Sequence, residues 1–205
     1  MLLMNEHISA PKKTLLVFAY EFNPDSMIFA HQFKVILELS KSFKKVILIV
    51  NSARVPEDLP KNIEIHDLEW NYSLLFRNIF RLYWNFFHTT FNHKPDVVFS
   101  FMTETHSAFI APFTKMLGIK HILWYAHVAK PLRLRVAQFF VDRILTSTSN
   151  SISISNKKVI PIGQMVDESS FPWYEERDYS RKENWIHVGR LDPSKNIRSE
   201  EHTSE

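Results

Sequence analysis

The chain contains no cysteine. Disulfides and cysteine-ligated metal sites are therefore excluded, and a reducing cytoplasm is the expected home. Glycine is almost as scarce, with Gly118, Gly163 and Gly189 the whole complement in 205 residues. A G-x-G-x-x-G dinucleotide fingerprint and a phosphate-cradling P-loop both need glycines at closer spacing, so nicotinamide or flavin binding by the usual route is not expected. Neither a Ser-His-Asp order nor a G-x-S-x-G elbow occurs, which leaves hydrolase chemistry without support. The ten histidines include no H-E-x-x-H spacing, and His88 and His93 read as solvent-facing rather than metal-ligating. No apolar run approaches the ~18 residues of a membrane-spanning helix. The opening "MLLMNEHISAPKK" makes a poor signal peptide: its apolar run is short, Glu6 interrupts it, and its lysines follow the run instead of preceding it.

What is present is a core. Hydrophobic residues make up 45% of the chain, enough to rule out wholesale disorder, and the length suits one domain with the edge of a second. Short β-branched and aromatic runs read as strands: "TLLVFAY" (14–20), "KVILIV" (45–50), "IEIHDL" (63–68), "DVVFSF" (96–101), "KHILWYA" (120–126), "RILTST" (143–148) and "KVIPI" (158–162). Helical patterns fall between them at 28–43, 72–91, 105–117 and 132–141, and Gly118 follows the third as a helix stop. Most strands are near-continuous apolar runs, as strands covered on both faces should be. Strand and helix in alternation predict an α/β, Rossmann-like, doubly wound parallel sheet. The expected divisions are a leader (1–13), this domain (14–166), a charged and aromatic connection (167–183) and the start of a second domain at "NWIHVGRL" (184–197).

In open α/β sheets, ligands bind beyond the carboxyl ends of the strands. That rule selects the loops "EFNPDS" (21–26), "TETH" (103–106), "HVAKP" (127–131), "STSNS" (147–151) and "GQMVD" (163–167), although loops are polar in any case. Near the end of the chain, "GRLDPSKN" reads as an anion site. Asp192 and Pro193 are a good N-cap and first helical residue. The unpaired amides of that turn would attract an anion, with Arg190 offering a planar donor fork and Lys195 a mobile charge. A diphosphate suits such a site. The plain alternative is an exposed turn in which Arg190 pairs with Asp192.

"HVGRLDPSKNI" resembles the opening of the donor-binding domain in family 4 glycosyltransferases of the GT-B fold. "VIPIGQMVDESSF" is similar to their interdomain stretch V-I-P-N-G-V-D-x-x-x-F, and "FAHQFKVILELSK" to their first helix. "DVVFSF" and "VDRILTSTSNS" follow in the expected order, so the resemblance runs from about Thr14 to Ile197. It implies the acceptor-side half of a two-domain enzyme that transfers a sugar from a nucleotide-sugar to a glycan or lipid-linked acceptor, with retention of configuration. By that resemblance Arg190 and Lys195 contact the donor diphosphate. His127 matches a histidine near the transferred sugar, unless it is a capping or core histidine. Glu104, Ser149 and Asn23 are cleft residues placed by topology. No cofactor or metal is implied, and no nucleic-acid partner. The first loop, "YEFNPDSM", departs from the family's glycine-rich pattern, and Gln164 replaces a common valine. Two other readings stand beside this one: a non-catalytic carbohydrate-binding or regulatory domain of the same shape, and a GT-B-like sugar-nucleotide epimerase.

The family's pattern continues through a further domain with an acidic motif, so a fragment of this extent is expected to be inactive alone. The final "RSEEHTSE" (198–205) resembles a translated sequencing adapter and reads as a non-native tail. Without it the chain holds 24 basic and 19 acidic residues. Residues 185–205 are expected to be poorly anchored, because a helix begun at Pro193 would be too short to stand alone.

Between Trp70 and Pro95 there is no acidic residue. On a helical wheel Leu75, Ile79, Leu82 and Phe86 share one stripe, with Phe76, Phe80, Tyr83 and Phe87 beside it. Arg77, Arg81 and His88 line the opposite edge, together with Trp84. Two readings remain: a helix (72–91) resting on an anionic membrane surface, on the inner face of the cell membrane, or a helix packed on the sheet with solvated arginines.

Overall fold

A computed structural model describes residues 13–26, 28–154 and 157–163. Seven strands form one fully parallel sheet in the order β3-β2-β1-β4-β5-β6-β7. They are β1 (Thr14–Phe22), β2 (Lys45–Ala53), β3 (Ile63–Asp67), β4 (Val97–Phe101), β5 (Lys120–Trp124), β6 (Arg143–Thr146) and β7 (Val159–Pro161). The helices α1 (Ala30–Ser40), α2 (Leu75–His93), α3 (Glu104–Met116) and α4 (Leu132–Phe140) occupy the predicted intervals. The Rossmann-like reading holds, with corrections of a few residues at the ends. The fifth strand stops at Trp124 rather than Ala126, and Ser149–Ser151 form a 3-10 turn.

Alternation along each strand sorts the core into layers. Val17, Val46 and Leu48 face α1 and pack around Ile36. Leu16, Phe18, Ile47 and Ile49 point the other way, onto Leu82 and Phe86 of α2 and Ile110 of α3. Farther along the sheet, Leu123 and Ile144 meet Leu134 and Ala137 of α4. Both faces of the central strands are thus covered, which is why those strands read as unbroken apolar runs. The β2–β3 connection (54–62) carries Pro56 and Pro60 and has no helix; two prolines so close would each remove a helical hydrogen bond. Asn62 closes the gap by donating through Nδ2 to the Ser40 and Phe43 carbonyls, at 2.8 and 3.1 Å, beyond the end of α1.

Two buried histidines sit inside this framework. Thr114 donates its hydroxyl to the Ala111 carbonyl at 3.0 Å, so it receives Nδ1–H of His121 at 3.1 Å. The other ring nitrogen, Nε2, then accepts from the Ser100 hydroxyl at 2.9 Å. His106 donates from Nε2 to Asn51 Oδ1 at 3.0 Å, and its Nδ1 has no partner among the described residues. Desolvation holds both rings neutral: His106 is pushed down to about 4 and His121 to about 3, the latter against the pull of Asp142.

Gly118 stops α3 as the sequence predicts. Its φ is +70°, and the turn is closed by N–H bonds from Gly118 to Lys115 O (3.3 Å) and from Ile119 to Thr114 O (2.9 Å). A Cβ at Gly118 would meet nothing within 4 Å, so Gly118→Ala should cost only the left-handed backbone penalty, about 1–2 kcal/mol. Chemical denaturation would measure it; an unchanged midpoint would show that the turn relaxes freely.

His93 corrects the solvent-facing reading. In the last turn of α2 its Nδ1 lies 3.2 Å from Lys45 Nζ, and its Nε2 lies 3.7 Å from Glu64. Glu64 also pairs with Lys45 at 2.6 Å and with His66 at 2.9 Å. The Lys45 hydrogen bond, aided by its charge, outweighs desolvation and holds the Glu64 carboxyl below its ordinary value. His88 is exposed, as read.

Candidate functional site

Because all seven strands are parallel, their carboxyl ends share one edge, and four of the loops named by the sequence, at 21–26, 103–106, 127–131 and 147–151, gather there. The β1–α1 loop is organised by Glu21. Its Oε1 accepts from Asn23 Nδ2 at 2.9 Å and its Oε2 from the Ser26 hydroxyl at 2.7 Å. Ser26 Oγ in turn accepts the Phe29 amide at 3.0 Å, just before α1 begins. Asn23 completes the loop by accepting the Asp25 amide at 3.0 Å. Both polar groups of Asn23 therefore serve the loop itself. In the first turn of α1, Gln32 is fully buried, and neither of its amide atoms has a partner among the described residues.

Between β4 and α3, Met102 adopts a left-handed conformation (φ +58°). Its amide bonds Trp124 O at 2.9 Å, and its Sδ accepts the Ala126 amide at 3.2 Å. A long side chain in that backbone region is strained unless its surroundings hold it. The turn delivers Glu104 as the first residue of α3, where a carboxylate also suits the helix dipole.

Glu104 accepts from the Tyr20 hydroxyl at 3.3 Å and lies 4.0 Å from Arg133 in the first turn of α4. Burial, then the Glu104 charge, pushes the Tyr20 phenol well above its ordinary value. Tyr125 is raised by the same two causes. A phenol held protonated and a carboxylate facing a guanidinium form a set of donors and acceptors suited to hydroxyl groups. Tyr20 and Arg133 were not singled out by the sequence: Tyr20 closes an apolar strand run, and Arg133 looks like any helix-surface cation. Only the fold brings them together.

His127 lies three residues past the end of β5, in a loop pinned at several points. Tyr125 donates its hydroxyl to Ala129 O at 3.0 Å, Ser153 donates to Val128 O, and Lys130 reaches Ser153 O at 3.4 Å. His127 itself is exposed, and its Nδ1 accepts the Ala129 amide at 2.9 Å. That bond assigns the proton of the neutral ring to Nε2 and leaves Nε2–H free to donate. Ser149 is exposed at the head of the 3-10 turn. Arg190, Lys195, Gln164 and the connection at 167–183 lie outside the described residues. Among the described residues, no group of three or more His, Asp or Glu side chains could hold a metal ion, and no helix is long and apolar enough to cross a membrane.

The fold is similar to several solved structures. The apo lipopolysaccharide outer core galactosyltransferase WaaB matches with a TM-score of 0.54 at 12% identity, over 75% of this chain and 46% of that one. MurG of Acinetobacter baumannii matches at 0.49, with 12% identity over 78% and 48%. The UDP-GlcNAc 2-epimerase of Methanocaldococcus jannaschii matches at 0.48, with 10% identity over 67% and 40%. No protein-family model and no curated protein matches the chain. The WaaB likeness shows the fold: this sheet and its helices are built like one part of a GT-B glycosyltransferase. The chain spans about half the length of the solved structures it matches.

Proposed function

We propose that this chain is the acceptor-side part of a retaining glycosyltransferase, one that moves a sugar from a nucleotide-sugar onto a glycan or lipid-linked acceptor. One observation carries the reading: a GT-B-like sheet whose carboxyl edge gathers Tyr20, Glu104, Arg133 and the pinned His127 loop. In this reading Glu104 and Arg133 orient acceptor hydroxyls, while the Nε2–H of His127 donates to the transferred sugar. Arg190 and Lys195 neutralise the departing diphosphate. Catalysis then comes from placement and charge stabilisation, with no protein nucleophile and no metal ion needed. The protein acts at the inner face of the cell membrane, with α2 as its contact to anionic lipid.

The test is calorimetric titration of the whole protein with UDP-, GDP- and ADP-sugars, followed by analysis of the anomer formed. Binding of one donor and a product of unchanged configuration are expected. Arg190→Ala should lower turnover on the order of 100-fold or more, the size of losing one transition-state donor. A protein that binds none of these donors, or that inverts the anomer, would overturn the proposal.

A further inference from the structure

α2 is held to the sheet by one side only. Leu82 and Phe86 are fully buried, whereas Phe76, Phe80, Trp84 and Phe91 are exposed at 91%, 67%, 64% and 67%. These four rings follow one another at spacings of four, four and seven residues, which places them on one face of the helix. The rings are ordered among themselves: Phe80 stacks on Trp84 at 6.4 Å, Trp84 on His88 at 6.5 Å and Phe87 on Phe91 at 6.1 Å. A shallow apolar slot of about 380 Å³ runs between them, lined by Phe80, Tyr83, Trp84, Phe87, His88 and Phe91. So large a contiguous aromatic surface is not an ordinary solvent face.

The charges beside the stripe narrow what can cover it. Arg77 donates to the Glu69 carbonyl at 2.7 Å and Arg81 to the Glu69 carboxylate at 2.7 Å. Glu69 is thus already engaged, and residues 70–95 contain no carboxylate. A second copy docked by two-fold symmetry would set this basic helix face against itself, with each copy's Glu69 already engaged and no further carboxylate between residues 70 and 95. An anionic bilayer supplies the missing charge, and its interface is where Trp and Tyr with flanking Arg are favoured.

Direction matters as well. The stripe begins at the carboxyl edge of the sheet: Trp70 touches the His106 ring at 5.2 Å, and Tyr72, 88% exposed, follows directly. From there the 19 residues of α2 extend roughly 28 Å at the usual helical rise.

We infer that α2 lies in the headgroup layer with Phe76, Phe80, Trp84 and Phe91 inserted, and that this posture opens the crevice beside the bilayer so that a lipid-linked acceptor reaches it from the membrane. The inference rests on the peripheral-enzyme reading above and specifies its mode. Insertion of the rings supplies most of the affinity. The two arginines, partly neutralised by Glu69, supply a smaller preference for anionic lipid.

The experiment uses the full chain and co-sedimentation with phosphatidylcholine vesicles, with and without phosphatidylglycerol, at low and high salt. Binding to the mixed vesicles is expected. Phe80→Ser combined with Trp84→Ser should weaken it on the order of 100-fold, from the apolar area no longer buried. Arg77→Gln with Arg81→Gln should weaken it by about 5- to 25-fold and remove most of the salt dependence. Circular dichroism checks that both variants fold. Three outcomes would overturn the inference: no sedimentation at low salt, unchanged binding by the Phe80/Trp84 variant, or a solution dimer that this variant dissolves. Nucleotide-sugar binding is measured separately and without vesicles. Vesicle binding without donor binding would count against the enzymatic reading alone, and donor binding without vesicle binding against the docking alone.

Discussion

Lowering the pH from about 7 to about 5 is expected to remove about 4 kcal/mol of stability from this domain, through two histidines. The unfolded chain takes up their protons near the ordinary value of about 6.5. The folded chain resists until about 4 at His106 and about 3 at His121, because burial disfavours the charged rings. The unfolded state therefore binds more protons throughout that interval, and stability falls as the pH falls. The contribution is fully present above about 6.5, and it declines by about 1.4 kcal/mol per pH unit for each histidine below that. Carboxylates such as Glu64 and Asp142, held below their ordinary values, add their loss only at lower pH. Urea midpoints measured at half-unit steps would resolve the slope. His121→Asn, whose amide keeps a group at the position of Nδ1 facing Thr114, should roughly halve it. A flat profile between pH 7 and 5 would mean that water reaches both rings.

The second large effect is expected at Phe86. This ring is fully buried against Phe18, at 6.4 Å, and with Leu82 it anchors α2 to the sheet. Phe86→Ala should cost about 3–5 kcal/mol, the transfer term plus the cavity left behind. Phe80→Ser, one and a half turns earlier on the open face, should change stability by no more than about 0.5 kcal/mol. The contrast can be read in a single pair of denaturation curves. Equal losses at both positions would show that the outer ring is also packed.

The division of α2 into a gripping side and an open side was only half legible beforehand. The spacing rightly places Leu82 and Phe86 together, but it also counts Leu75 with them, and Leu75 is 56% exposed. The wheel groups Trp84 with His88 and the arginines, and Trp84 does stack on His88; what it misses is that Phe80 joins the same row of rings. A wheel gives the angle of a side chain but not which arc the neighbouring elements cover. The strands were easier. A segment buried on both faces leaves an unbroken apolar run, and β1 and β2 carry that mark; β4 and β5 alternate buried with half-buried residues and are interrupted by Ser100 and His121. Histidines were the hardest to place. His106 falls within a loop selected for the crevice, yet it lies buried, with its Nε2–H donating to Asn51, 55 residues away. The Tyr20–Glu104–Arg133 set was equally out of reach, as its first two members are 84 residues apart in the chain.

Among the described strands, β7 forms one margin of the sheet. β7 is three residues long and turns Lys158 O and Ile162 N toward β6. Val159 and Pro161 must then aim their main-chain groups outward, and proline has no N–H to offer. Within β7, an incoming strand from another molecule would meet one outward donor, at Val159, and none at Pro161. Replacing Pro161 would restore the missing rung and give this margin a second outward main-chain donor.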